Sequence, residues 1–319
     1  MRIDPKLEPY RAAMRAFRQA LAQAPSLIPP LETAEDVARF RALGDPAFPE
    51  EALALPLERR SAPGPSGEIP LRLFRPRAPR ALYVDFHGGG FCMGWAAQKD
   101  AQNARIAQAA EVAVASADYR LAPEHPFPAG PDDCESAALF ALEKLCPELG
   151  VDSILLGGDS AGASLAALTA LRLRERGLAS RVLGLVLVYG VFDLSMTPST
   201  RQAVDTPLVD ARAARMFNDH YLPGRSAEER RDPAISPLYA DLRGLPPALF
   251  LVGECDPLLD DTLFLQARFE AAGIEAPLHV FPDSPHGFAS LPSPVGEVAE
   301  GLMRDFVRSR LARQEVGRT

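Results

Sequence analysis

The stretch Ile154-Leu-Leu-Gly-Gly-Asp-Ser160-Ala-Gly-Ala-Ser-Leu165 limits what this chain can fold into more than any other, because an apolar run meets a corner of small residues and turns straight into an Ala- and Leu-rich segment. Residues 151–156 read as a strand and 161–174 as a helix. Ser160 stands at the corner, with Gly158 and Gly162 two residues away on either side. So tight a strand-to-helix turn forces the serine into a strained backbone conformation, and a β-carbon at either flank would collide with the neighbouring strand or helix. The corner therefore asks for a sheet packed closely against helices.

The sequence around it supplies that sheet. Strands are predicted at 81–86, 112–116, 182–189, 248–252 and 278–281, and helices at 99–110, 131–145, 259–272 and about 295–311. Such alternation specifies an α/β architecture with a mostly parallel central sheet flanked by helices, and ligands in such sheets bind at the carboxyl ends of the strands. Ahead of it, Leu7, Tyr10, Met14, Phe17 and Leu21 share one helical face, prolines 25, 29 and 30 end that helix, and Thr33-Ala-Glu-Asp36 can cap a second one running towards Ala42. Residues 51–59 and 68–75 are predicted as two strands joined by a turn around 61–67. Residues 193–238 break the rhythm, being far longer than the roughly two to six residues usual between strand and helix. Met216, Phe217, Tyr221 and Leu222, on a predicted helix at 210–221, argue that this insert is packed. The chain is read as a single domain, 1–319, whose helical cap is formed by about 1–45 and about 193–238, although nothing in the sequence shows the two parts touching.

A net charge of −8 and the absence of a basic cluster argue against nucleic acid or an anionic membrane as the partner. The most apolar stretch, 182–192, is too short to span a bilayer, and the first residues carry no apolar leader. The four cysteines form no Cys-x-x-Cys pair and fit a reducing cytoplasm and a metal-free protein.

A serine at such a corner needs a base, and there are five histidines: His87, His125, His220, His279 and His286. His286 lies just beyond the strand 278–281, in a loop at its carboxyl end. His279 alternates with Leu278 and Val280 and belongs in or under the sheet, while His220 sits on the insert helix. The base needs an acid to hold its tautomer. Asp256 ends the strand-loop Phe250-Leu-Val-Gly-Glu-Cys-Asp256 and is preferred; Glu254 is the main rival, with Asp260, Asp261 and Asp283 weaker. Phe86-His87-Gly-Gly-Gly90-Phe91 follows a strand with three residues whose backbone N–H groups nothing blocks, suited to a developing oxyanion, and the N–H of Ala161 at the helix start would be a third donor. No Gly-Lys-Ser/Thr supports a phosphate loop. His87 and the proline-rich loop Tyr119-Arg-Leu-Ala-Pro-Glu-His-Pro-Phe-Pro-Ala129 read as braces for the glycines.

With His87-Gly-Gly-Gly90, the 119–129 loop, Gly158-Asp-Ser-Ala-Gly162, Asp256-Pro-Leu258 and His286-Gly-Phe288 in this order, the chain resembles the bacterial hormone-sensitive-lipase-like carboxylesterases of the α/β-hydrolase fold, over about residues 71–311. The resemblance implies Ser160 as nucleophile, His286 as general base, Asp256 as its orienting acid, and the N–H groups of Gly88, Gly89 and Ala161 as the oxyanion hole. It implies small esters with short- to medium-chain acyl groups as substrates, no cofactor, and a homodimer. Trp95, in a stretch after the glycines that is bulkier than the family's pattern, is a candidate for the substrate pocket together with Phe217 and Tyr221. Tyr189-Gly190 replaces a more frequent proline-containing turn. Activity is expected to rise with pH as His286 loses its proton, with an apparent pKa near the ~6.5 reference. Plant hormone receptors of similar fold lack a usable histidine at the last position, which His286 fills, and a lipase acting at interfaces would want a more apolar lid than 193–238.

Overall fold

In the computed structural model, which describes residues 3–23, 28–44, 49–204, 206 and 208–316, eight strands form one sheet in the order β1-β2-β4-β3-β5-β6-β7-β8. They are β1 (Leu57–Gly64), β2 (Gly67–Phe74), β3 (Leu82–Phe86), β4 (Ala113–Ala117), β5 (Ile154–Asp159), β6 (Val182–Val188), β7 (Ala248–Gly253) and β8 (Leu278–Phe281). The β1–β2 and β2–β4 pairs are antiparallel and all others parallel. The central strands are apolar throughout because both faces are covered. Leu82, Val84 and Phe86 of β3 face a core shared with the helices Ala129–Phe140, Ala161–Glu175 and Leu259–Ala271, whereas Tyr83 faces a second core under Asp100–Ala110 and Gly296–Val316. The same two-residue alternation divides Ile154, Leu156 and Leu155 of β5.

The first strand, the turn after it and the helix expected at 131–145 differ from expectation. The first strand was expected at 51–59, but Glu50–Ala52 is a 3-10 turn and pairing starts at Leu57 and continues to Gly64. Leu53, Leu55 and Leu57 alternate as strand residues do, yet Leu53 and Leu55 pack against the second core from irregular backbone. The turn expected around 61–67 shrinks accordingly, since Gly64 pairs with Gly67 across Pro65 and Ser66. The helix expected at 131–145 starts at Ala129 and widens into a π-helical stretch at Ala141–Leu145.

The insert holds the helices Pro198–Gln202 and Ala211–Tyr221, the second capped by the Asp210 carboxylate, which accepts the Ala213 N–H. Its ends meet where Leu238 N–H donates to Phe192 O, 3.1 Å. Buried Asp261 fastens its start, accepting the N–H groups of Phe192 (2.7 Å) and Asp193 (2.8 Å) on one oxygen and the Thr197 hydroxyl (2.6 Å) on the other. Residues 28–44 touch the insert: Leu31 O lies 2.7 Å from His220 Nε2, and Arg212 pairs with Glu32. Thr33 and Asp36 form the expected capping box of the helix Ala34–Ala42. The helix Arg11–Gln23 instead buries Met14, with Leu7 just before it, against the second core. Among the described residues no helix is long and apolar enough to cross a membrane.

Candidate active site

The glycine-flanked corner carries the strain its sequence demands. Ser160 follows β5 with φ +53° and ψ −120°, and its N–H donates to Val188 O at the end of β6, 2.9 Å. A methyl group at Gly158 or Gly162 would overlap the Phe86 carbonyl oxygen. β5, β3 and the following helix thus touch backbone to backbone, which fixes Ser160 at the carboxyl edge of the sheet.

Three strand ends deliver side chains to that edge. His286, five residues beyond β8, places Nε2 3.0 Å from Ser160 Oγ, and its Nδ1 lies 3.0 and 2.9 Å from the two oxygens of Asp256 just past β7. A carboxylate can only accept, so Nδ1 carries the hydrogen and Nε2 accepts from the Ser160 hydroxyl. Asp256 is itself oriented by the Leu258 N–H, 2.8 Å. Burial opposes a charge on His286, but the charge and hydrogen bond of Asp256, with the charge of Asp159, outweigh it and hold the ring above the ordinary 6.5.

The glycine loop after β3 lies opposite. Gly89 (φ +114°) and Gly90 (φ +61°) occupy left-handed backbone, and Gly89 O accepts from the N–H of Met93, 2.8 Å, folding the loop back on itself. Gly88 and Gly89 line the same cavity as Ser160 and His286. Ala161 opens the helix Ala161–Glu175, so its N–H has no acceptor within that helix. His87 Nδ1 lies 2.7 Å from Gly88 O, its ring stacks on Tyr119 at 4.3 Å, and the Tyr119 hydroxyl donates to His87 O, 2.7 Å.

Beneath the loop lies a charged group that the sequence did not single out. Buried Lys99 reaches Asp159 at 3.0 Å and Asp85 at 3.3 Å, and Asn103 donates to Asp85, 3.2 Å. Burial disfavours charge on Lys99 and on Asp159, yet their mutual attraction, aided at Lys99 by Asp85, leaves the amine raised and the Asp159 carboxyl lowered. Tyr189, at φ +37°, sets its ring edge against His286 (4.8 Å between centroids), and its hydroxyl lies 2.8 Å from Ser290 Oγ. The Tyr189-Gly190 departure marked that position in the sequence; Lys99 and Ser290 had no local signal.

The cavity above Ser160 has a volume of about 660 Å³ and is lined by Phe40, Trp95, Val191, Leu208 and Phe217 among others. Phe217 places its ring against Gly90. Tyr221 does not line it. One helical turn on from Phe217, it is buried, stacked on Phe91 at 4.1 Å and edge-on to Phe127 at 6.0 Å, so its expected place in the substrate pocket is corrected to the core. The rival acids also turn elsewhere: Asp261 holds the insert, Asp260 accepts Ser199 N–H at 2.8 Å, and Glu254 and Asp283 face Arg11. His279, expected in or under the sheet, is half-buried and pairs with Asp4 at 2.8 Å, because β8 is an edge strand. Among the described residues no group of three or more His, Cys, Asp or Glu is placed to hold a metal ion.

A family model described as the α/β hydrolase fold matches residues 83–290. Carboxylesterase NlhH of Mycobacterium tuberculosis is 35% identical over 86% of this chain and 88% of its own length. Ethyl acetate hydrolase of Pseudomonas putida is 35% identical over 74% of this chain and 76% of its own. The crystal structure of esterase LipW from Mycobacterium marinum superposes with a TM-score of 0.81 at 30% identity, covering 97% of this chain and 96% of that one. The chain belongs to the α/β-hydrolase fold family and, within it, to the hormone-sensitive-lipase-like carboxylic ester hydrolases.

Proposed function

We propose that this enzyme hydrolyses small esters with short- to medium-chain acyl groups through an acyl-enzyme on Ser160. The observation that carries the reading is the unbroken Ser160–His286–Asp256 chain of hydrogen bonds at the floor of the cavity. His286 Nε2 takes the hydroxyl proton as Ser160 Oγ attacks the ester carbonyl, and Asp256 stabilises the imidazolium. The N–H groups of Gly88, Gly89 and Ala161 hold the oxyanion, at the positive end of a helix. The alcohol leaves with the proton from Nε2, and a water deprotonated by the same nitrogen frees the acid and Ser160. No step calls for a cofactor.

Of the cap expected at about 1–45 and about 193–238, we assign residues 28–44 and the insert, with Trp95 and Phe217 at the substrate; the contact of Leu31 with His220 supports this, while Leu7 and Met14 pack against the second core. A cavity of about 660 Å³ suits a small acyl and alcohol pair, and the Pseudomonas relative is named for ethyl acetate. Free, mostly buried cysteines are in keeping with a cytoplasmic setting, and family resemblance favours a homodimer. The deciding experiment is a p-nitrophenyl ester series from acetate to palmitate. Maximal kcat/KM between acetate and octanoate is expected; turnover of long chains alone would overturn the substrate assignment.

A further inference from the structure

Arg11, Arg15 and Arg18 recur on one face of the amino-terminal helix, and all three reach a single carboxylate that lies three residues before His286. Asp283 Oδ2 accepts from Arg11 (3.1 Å) and Arg15 (3.0 Å), and Oδ1 from Arg18 (3.1 Å). Glu254, two residues before Asp256, accepts both an Arg11 N–H (2.7 Å) and the Asp283 backbone N–H (2.9 Å). The two loops are stitched further, since Glu254 N–H donates to Phe281 O (2.8 Å) and Cys255 N–H to Ser284 O (3.0 Å). Asp283 itself sits at φ +48°, left-handed backbone that aspartate and asparagine adopt more readily than other non-glycine residues. Its side chain is 9% exposed.

We propose that Asp283, gripped by Arg11, Arg15 and Arg18, is a positioning residue that holds the His286 loop in register with Asp256 and Ser160. The amino-terminal helix is then part of the catalytic apparatus without touching substrate; none of these four residues lines the cavity. Apolar docking of that helix is already provided by Leu7 and Met14. What the arginines add is a fixed point for the carboxylate whose release would free the loop to carry His286 away from Ser160. The attraction of Arg15, then of Arg18 and Arg11, holds the Asp283 carboxyl below its usual range against the opposing effect of burial, so the clamp is charged at neutral pH.

The inference rests on the esterase reading, and the test separates the two. Asp283→Asn keeps the shape and the tolerance for left-handed backbone but drops the charge. Arg15→Gln/Arg18→Gln, on side chains 55% and 35% exposed, covers the case in which the first variant fails to fold. With p-nitrophenyl butyrate, kcat is expected to fall about tenfold in Asp283→Asn and about threefold in the double variant, with KM within about twofold, less than the ~100-fold that a 1 Å misplacement can cost. The downfield proton resonance of His286 Nδ1 should broaden in parallel. Asp283→Gly, which relieves the backbone without restoring the charge, should stay slow. Unchanged kcat in the double variant, full activity in Asp283→Gly, or a rise in KM alone would overturn the clamp. A wild-type protein with no esterase activity would instead sink the functional reading, and the proton resonance would still report on the clamp.

Discussion

The floor of the active site and its cover are built on different physics. At the floor, Gly158 and Gly162 leave no room for a methyl group between β3, β5 and the following helix, and the strands around Ser160 are buried on both faces. Position there is enforced by repulsion between backbone atoms, which stiffens steeply with displacement. The proposed cover, residues 28–44 with the insert, is held through side chains instead: buried Asp261 fastens the insert, Leu31, Val37 and Tyr221 pack into the first core, and Arg41 donates to Cys92 O at 2.7 Å. Side chains can change rotamer when a neighbour changes, whereas backbone wedged against backbone has no such freedom. On the proposed function, the floor would govern the reaction and the cover the choice of ester.

That separation can be broken most severely at Ser160, the proposed nucleophile. Ser160→Ala should lower kcat by about 10⁶-fold with the melting temperature unchanged; residual turnover near wild type would place the chemistry elsewhere. Asp256→Asn, which leaves His286 in the wrong tautomer, should cost about 10⁴-fold in kcat at similar KM, measured by steady-state kinetics on one short ester. A cover substitution should behave otherwise. Phe217→Ala, opening the cavity beside Gly90, is expected to move the acyl-chain optimum to longer esters by a factor of about ten in relative kcat/KM while kcat on acetate stays within a few-fold. An unmoved optimum with a collapsed kcat would erase the distinction. The smallest effect is on pH. The proposed base His286 would act only when neutral, and its folded value is raised, so kcat/KM should climb with pH and reach half its plateau above 6.5; a midpoint at or below 6.5 would mean that Asp256 does not hold the imidazolium as the geometry implies.

Much of this was readable in the sequence, for reasons that differ by residue. Ser160 is marked by its glycines because sterics act over two residues, and His286 stands out among five histidines because a strand end precedes it. The partners of Asp283 were unreadable: the arginines that hold it lie 265 or more positions away, and nothing local to Asp283 distinguishes a rival acid from an anchor. Tyr221 shows the limit of helical spacing. Four residues after Phe217 it shares a helix face in the sequence, but the packing of Phe91 and Phe127 decides that its ring goes down into the core. Leu53 and Leu55 show the same for strands, where alternation records burial on one side without guaranteeing a hydrogen-bonded neighbour.

The hydrogen bond from Leu238 to Phe192 has a further consequence. A long connection whose two ends meet is already a closed loop, and the entropy of closing a loop grows only with the logarithm of its length, about 0.6 kcal/mol for each doubling. Residues can be added or removed near its exposed turn at Pro223 and Gly224 at little thermodynamic cost, with the strands that hold Ser160 and His286 insulated from the change. Insertions there would lengthen the connection without asking the sheet to fold differently.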